Sequence, residues 1–234
     1  MLVAAGIFPH PPVLVPEVAG RRSADLDGMR TNCERAVTRL FDAGPDLLVV
    51  LGGDERTACH GSDVRGTLLP HGVDMTFGDG GVRLPLSLTI GRWLLGSRTE
   101  LVSTEFRSVG WGTAPADCLE LGERLAGLAP RVALMVLGDG SACRTERSPG
   151  FLDPDAVPLD DHVAEALRGG DTAALAALDP KAAERLLVAG RPTWQVLAGA
   201  AEGRSPEGEL LDYQAPYGVG YFVASWRFDA PADR

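Results

Sequence analysis

Lysine is almost missing from this sequence: Lys181 stands alone against 21 arginines, a bias we ascribe to genome composition rather than mechanism. Cationic side chains number 22 against 32 acidic ones, a formal net charge of −10. Neither sign gathers into a block of about five or six like charges, so the acidity is spread as a solubilising surface. No basic face is visible, which argues against a nucleic-acid partner. Cysteine is scarce and scattered: Cys33, Cys59, Cys118 and Cys143 share no CxxC spacing, which excludes a zinc ribbon or a thioredoxin-like pair. No apolar run reaches the roughly eighteen residues that a membrane helix requires. Met1–Ala5 is too short and too uncharged to read as a signal peptide. The expectation is a cytoplasmic chain, without a membrane partner, whose thiols stay reduced and unpaired. Internal repeats, low-complexity tracts and linkers are also missing.

What is present suits one core. The chain has 234 residues of which 45% are apolar, enough to fill a single domain over 1–234. Leu2–Phe8 is an apolar run closed by Pro9 and predicts a buried strand. Pro11, Pro12 and Pro16 hold off a helix until about Arg21. Apolar spacing predicts a helix over Ser23–Phe41, stopped by Gly44-Pro45. Asp46–Leu51 reads as a strand buried on both faces, and Gly52-Gly53-Asp54 as a sharp turn at its carboxyl end. Ligands of open α/β sheets bind at that edge.

Further on, Arg56–Gly72 reads as loop and partial strand, Leu84–Leu95 as a helix beginning at Pro85, and Thr99–Thr104 as a strand. Pro115–Leu128 is helical in spacing, with Pro115 suited to the first turn. Val132–Leu137 is a third buried-strand candidate and runs into Gly138-Asp139-Gly140. Ser148–Pro158 reads as a loop. Helices are expected over Asp160–Leu167, Thr172–Leu178, Pro180–Val188 and Pro192–Ala201. Leu210–Ala215 and Gly220–Phe228 then form a hairpin around Pro216-Tyr217-Gly218, and Ala230–Arg234 frays. The fold class expected is α/β: one domain with a central mixed sheet flanked by helices.

Three stretches together resemble one family. They are Ile7-Phe8-Pro9-His10-Pro11-Pro12-Val13-Leu14-Val15-Pro16-Glu17, then Val136-Leu137-Gly138-Asp139-Gly140-Ser141 with Pro149-Gly150 and an acidic helix after it, and last Tyr213-Gln214-Ala215-Pro216-Tyr217-Gly218-Val219-Gly220-Tyr221. In this order they resemble the catalytic-subunit superfamily of class III extradiol ring-cleavage dioxygenases, over most of the chain. The resemblance implies a non-heme Fe(II) oxidoreductase, with two His and one carboxylate on the metal, open positions for a catechol and O₂, and a further His as acid/base. Residue by residue, His10 stands at the first ligand position and Asp54 replaces the second imidazole. Val188 stands where the ligand Glu is expected, and Ala142 and Cys143 where the acid/base His is expected.

Each singled-out residue has a plainer reading beside this one. His10 could bond a backbone carbonyl as a structural histidine, and Asp54 could cap its own turn. His60, six residues past Asp54, could supply a replacement ligand or move protons. His71 reads as an exposed turn residue and His162 as an exposed helix residue. Asp139 could serve as acid/base or cap the turn made by Gly138 and Gly140. Cys143 is reactive only in an electropositive setting; Arg144 and Arg147 could provide one, or hold an anionic substrate. Tyr213, Gln214 and Tyr217 form a polar–aromatic cluster for substrate or subunit contact, or a plain turn. His10 and Asp54 are the metal candidates, with His60, Glu17 and Gln214 to complete the shell.

Two functions follow. One is a divergent extradiol-type oxygenase, using Fe(II) or another divalent metal on a catechol-like or small acidic substrate. The other is a non-catalytic binding or assembly protein that kept the fold without a metal. Both imply a small-molecule ligand and are compatible with a homo-oligomer.

Overall fold

The computed structural model describes residues 1–229; the fraying expected over Ala230–Arg234 lies outside them. The chain runs β1 (Leu2–Phe8), a one-turn α1 (Pro16–Ala19), α2 (Asp27–Asp42), β2 (Leu47–Asp54), β3 (Ala58–Gly61), β4 (Val64–Thr67), β5 (Thr76–Phe77), β6 (Val82–Arg83) and α3 (Leu86–Leu95). It continues through β7 (Ser103–Gly110), α4 (Pro115–Ala126), β8 (Val132–Leu137), α5 (Ala156–Gly169), α6 (Thr172–Ala176), α7 (Pro180–Arg185), α8 (Arg191–Ala200), β9 (Glu207–Gln214) and β10 (Tyr221–Arg227).

The apolar runs make the centre of a seven-stranded mixed sheet, ordered β3-β7-β2-β8-β1-β10-β9. β7, β2, β8 and β1 are parallel, while β3 and the β9–β10 hairpin are antiparallel to their neighbours. Every residue of β1 and β8 is buried, because helices cover both faces of a parallel core. Leu48, Val50, Ala133, Met135, Leu137, Phe8 and Val223 pack in one cluster with residues of α2 and α3. Leu47, Val49, Leu51, Val132, Leu134, Val136, Ile7 and Phe222 pack in the other, with residues of α4 through α8. A register shift between Leu2 and Ala4 puts these two even-numbered neighbours of β1 in different clusters.

α4 and α8 meet at glycines. A methyl on Gly122 would lie 2.0 Å from the Val196 carbonyl oxygen, and one on Gly199 2.1 Å from that of Leu119. No side chain fits where two helix backbones approach so closely.

Several sequence expectations move. Gly52-Gly53-Asp54 is not a turn: β2 continues to Asp54, in register with Ser108–Gly110 of β7. The strand expected over Thr99–Thr104 begins only at Ser103, since residues 96–100 form a 3₁₀ turn. α5 starts at Ala156 and shortens the expected loop, and α7 stops at Arg185 instead of Val188. Residues 20–26 are 3₁₀, so the regular helix there begins at Asp27. In the small sheet β5-β4-β6, β4 falls within the loop and partial strand expected over Arg56–Gly72, while β5 and β6, two residues each, were not expected.

Candidate functional site

β1 and β8 are adjacent and parallel, but the chain after β1 leads to α2 on one face and the chain after β8 leads to α5 on the other. Their loops part in opposite directions, the arrangement at which open α/β sheets bind ligands at the carboxyl edge. His10 and Asp139 lie on those two loops, each two residues beyond a register pair, Phe8 and Leu137. Gly52 pairs with the same Leu137, so Asp54 ends the next strand along. The three strand ends lie side by side in the order β2, β8, β1.

Direct contacts join two of the three side chains, His10 and Asp139. The Asp139 carboxylate accepts the backbone N–H of His10 through Oδ1 at 2.8 Å. The same oxygen lies 3.5 Å from His10 Nδ1, with side chains 11% and 14% exposed. That is ion-pair range, longer than a good hydrogen bond, and the buried Nδ1 has no hydrogen-bond partner among the described residues. Burial pushes the Asp139 carboxyl above its usual range, opposed by the His10 imidazole and backbone N–H. Tyr221, buried at the start of β10, feels the Asp139 charge as well as its own burial, and its phenol is pushed up. In the sequence Tyr221 merely closes the third motif of the resemblance; its place at the head of the last buried strand was the signal that could have singled it out.

Asp54 ends β2, within electrostatic reach of His60 on β3. Its charge acts on the His60 imidazole, whose pKa burial nevertheless holds below the usual value. His60 Nε2 is 3.1 Å from Ser108 Oγ, which in turn donates to the Arg56 carbonyl at 2.8 Å. His71 and His162 are exposed.

The remaining candidates are drawn into structural networks. Arg144 Nη1 meets Asp160 Oδ2 at 3.0 Å and the Tyr213 hydroxyl at 2.6 Å. Tyr213 donates to Asp161 at 2.7 Å and stacks on Phe222 at 4.9 Å. Tyr217 donates to Asp25 at 3.3 Å. Gln214 bonds Asp212 at 3.2 Å, and Glu17 and Arg147 are exposed. Cys143 is buried, and burial is the main cause of its raised thiol pKa. Its S–H points at the Gly150 carbonyl at 3.4 Å, a setting for an inert thiol.

Asp160, which no motif marks in the sequence, organises this region. Its carboxylate is fully buried, accepts Ser141 N–H at 2.8 Å, and fills the space beside the bare α-carbons of Gly140 and Gly220. It therefore clamps the loop that carries Asp139.

A facial Fe(II) triad needs two imidazoles and one carboxylate converging. The donor set does not fit. His10 is paired with Asp139, Asp54 acts on His60 through its charge without an ion pair, and Val188 is a buried aliphatic side chain. Among the described residues no three His, Cys, Asp or Glu side chains converge in a way that could hold a metal ion. What His10 and Asp139 can do together is hold or move a proton.

No family model and no curated protein matches the chain. Solved structures share the fold. One is that of an uncharacterized protein, JW3007 from Escherichia coli K12, at a TM-score of 0.55, 12% identity, and coverage of 96% of this chain and 99% of that one. At that identity the likeness speaks for the architecture alone. No helix among the described residues is long and apolar enough to cross a membrane.

Proposed function

We propose that this chain is a divergent relative of the class III extradiol dioxygenases that no longer performs iron-dependent ring cleavage and uses the carboxyl edge of its sheet to bind a small molecule. The observation that carries the reading is the state of His10. The one imidazole at the family's first ligand position is turned into a pair with Asp139, whose Oδ1 also takes the His10 N–H. The positions expected to complete the iron shell are Asp54, beside His60, and buried Val188. The acid/base position is occupied by Ala142 and buried Cys143. General acid–base assistance is typically worth roughly 10²–10⁴ in rate, so an iron-loaded form would still lack its proton-transfer partner. A catechol-like or small acidic ligand would lie between the loops after β1 and β8, with His10 and Asp139 as its polar contacts.

The test has two arms. Anaerobic Fe(II) loading, metal quantification, and then protocatechuate or catechol with O₂ is expected to give no retained stoichiometric iron and no yellow ring-opened product. Imidazole resonances of the four histidines, followed on adding a catechol, are expected to show His10 shifting alone. One bound iron with ring opening at an ordinary enzymatic rate overturns the reading.

A further inference from the structure

A concavity whose lining includes neither His10 nor Asp139 lies between the loop after β7 and the segment joining α7 to α8. Its volume is about 460 Å³, and Trp111, Pro180, Ala183, Leu187 and Val188 make most of its wall. That volume sits within the usual range for small-molecule pockets. Two charged residues also line it, Glu184 and Arg191, and they differ in kind. Glu184 is exposed on α7, whereas Arg191 is 3% exposed at the first position of α8.

Arg191 is a buried cation without a counter-charge. Its Nη1 donates to the Thr113 carbonyl at 2.7 Å and the Gln195 side-chain oxygen at 2.9 Å, and its Nη2 to the Trp111 carbonyl. All three acceptors are neutral, and no carboxylate among the described residues lies within ion-pair distance. The three bonds use three of the five guanidinium N–H groups, leaving Nε–H and one Nη2–H without an acceptor among the described residues. The position adds to the cost, because the amino end of a helix carries partial positive charge. Burying an unpaired charge is expensive unless something pairs with it. Burial depresses the Arg191 pKa, yet a guanidinium stays protonated in proteins.

We propose that this pocket binds an apolar monocarboxylate, with the carboxylate on Arg191 and a short aliphatic chain or single ring against Trp111, Leu187 and Val188. A planar carboxylate matches the two remaining donors of a guanidinium edge. The apolar wall disfavours a strongly hydrated phosphate. The assignment uses neither His10 nor Asp139 and stands or falls independently of the reading above.

Trp111 is half exposed at the mouth, so its fluorescence reports occupancy. The full chain would be titrated with hexanoate, hexanamide and acetate, with Trp111→Phe as the control that removes the signal. Hexanoate is expected to saturate at least tenfold below hexanamide and below acetate. Glu184→Gln, an exposed change that removes the pocket's one acidic group, should tighten hexanoate by about threefold, the size of a screened surface charge. Arg191→Gln should abolish the preference for the acid. If that variant does not fold, the Glu184→Gln arm still decides. No saturable hexanoate signal, equal affinity for hexanamide, or a Glu184→Gln variant that binds hexanoate no better overturns the proposal.

Discussion

Replacing Asp160 by Asn tests whether burial or ion pairing governs the loop that carries Asp139. The carboxylate is fully buried, 3.0 Å from Arg144 and 2.8 Å from Ser141 N. Burial raises its pKa from the ordinary 3.8 to about 6, against the opposing pull of Ser141 N–H and Arg144. Because the folded value is raised, the native state holds the proton more tightly than the unfolded chain. The resulting stability is complete below about pH 4 and is lost as pH rises through about 6. Each pKa unit corresponds to about 1.4 kcal/mol, so the displacement is worth about 3 kcal/mol between those limits.

Asn copies the shape and the acceptor for Ser141 N–H but does not ionise. Asp160→Asn should therefore lose ground against the native protein at pH 4 and gain about 3 kcal/mol relative to it by pH 7. Urea unfolding followed by circular dichroism across that range measures the difference. Asp160→Ala is the companion, expected to cost about 3–5 kcal/mol by stranding Arg144 and Ser141 N–H. A pH-independent offset for Asp160→Asn, or a penalty that grows toward pH 7, would refute the argument that burial outweighs the pair.

Gly122→Ala places a methyl against the Val196 carbonyl and should destabilise the chain by about 3 kcal/mol in the same assay, because backbone is harder to displace than a side chain. Leu187 is an exposed non-glycine residue at φ 53°, so Leu187→Gly should raise stability by about 1 kcal/mol; a lower urea midpoint would count against left-handed strain there. Thiol titration of the folded protein should find Cys59 alone reacting fast, the other three only after unfolding, since they are buried. The triple variant Val188→Glu, Ala142→His, Asp54→His restores the family's donor types and should bind Fe(II) more tightly than the native chain, read by metal retention after gel filtration.

Much of the architecture was readable in the chain because it rests on local pattern. The continuous apolar runs of β1, β2 and β8 announce strands covered on both faces, and the Pro and Gly residues that bound them mark their ends. The same rule placed His10, Asp54 and Asp139 at strand ends. β4 was readable only as part of a loop and partial strand, and β5 and β6 were not readable, since two to four residues hold too little periodicity to separate strand from loop. Nor was the extension of β2 through Gly52-Gly53-Asp54, where pairing with β7 overrides the turn preference of Gly-Gly-Asp. What only tertiary structure decided is pairing. The sequence shows histidines, arginines suited to a substrate anion, and a scatter of carboxylates, without saying which acid meets which base. Folding joins His10 to Asp139 and commits Arg144 to Asp160 and Tyr213. It leaves Arg191, at first sight an ordinary helix residue, buried without a carboxylate at the rim of an apolar pocket. Strand propensity depends on neighbours along the chain; charge compensation depends on neighbours in space, contributed here by segments 16 to 129 residues apart.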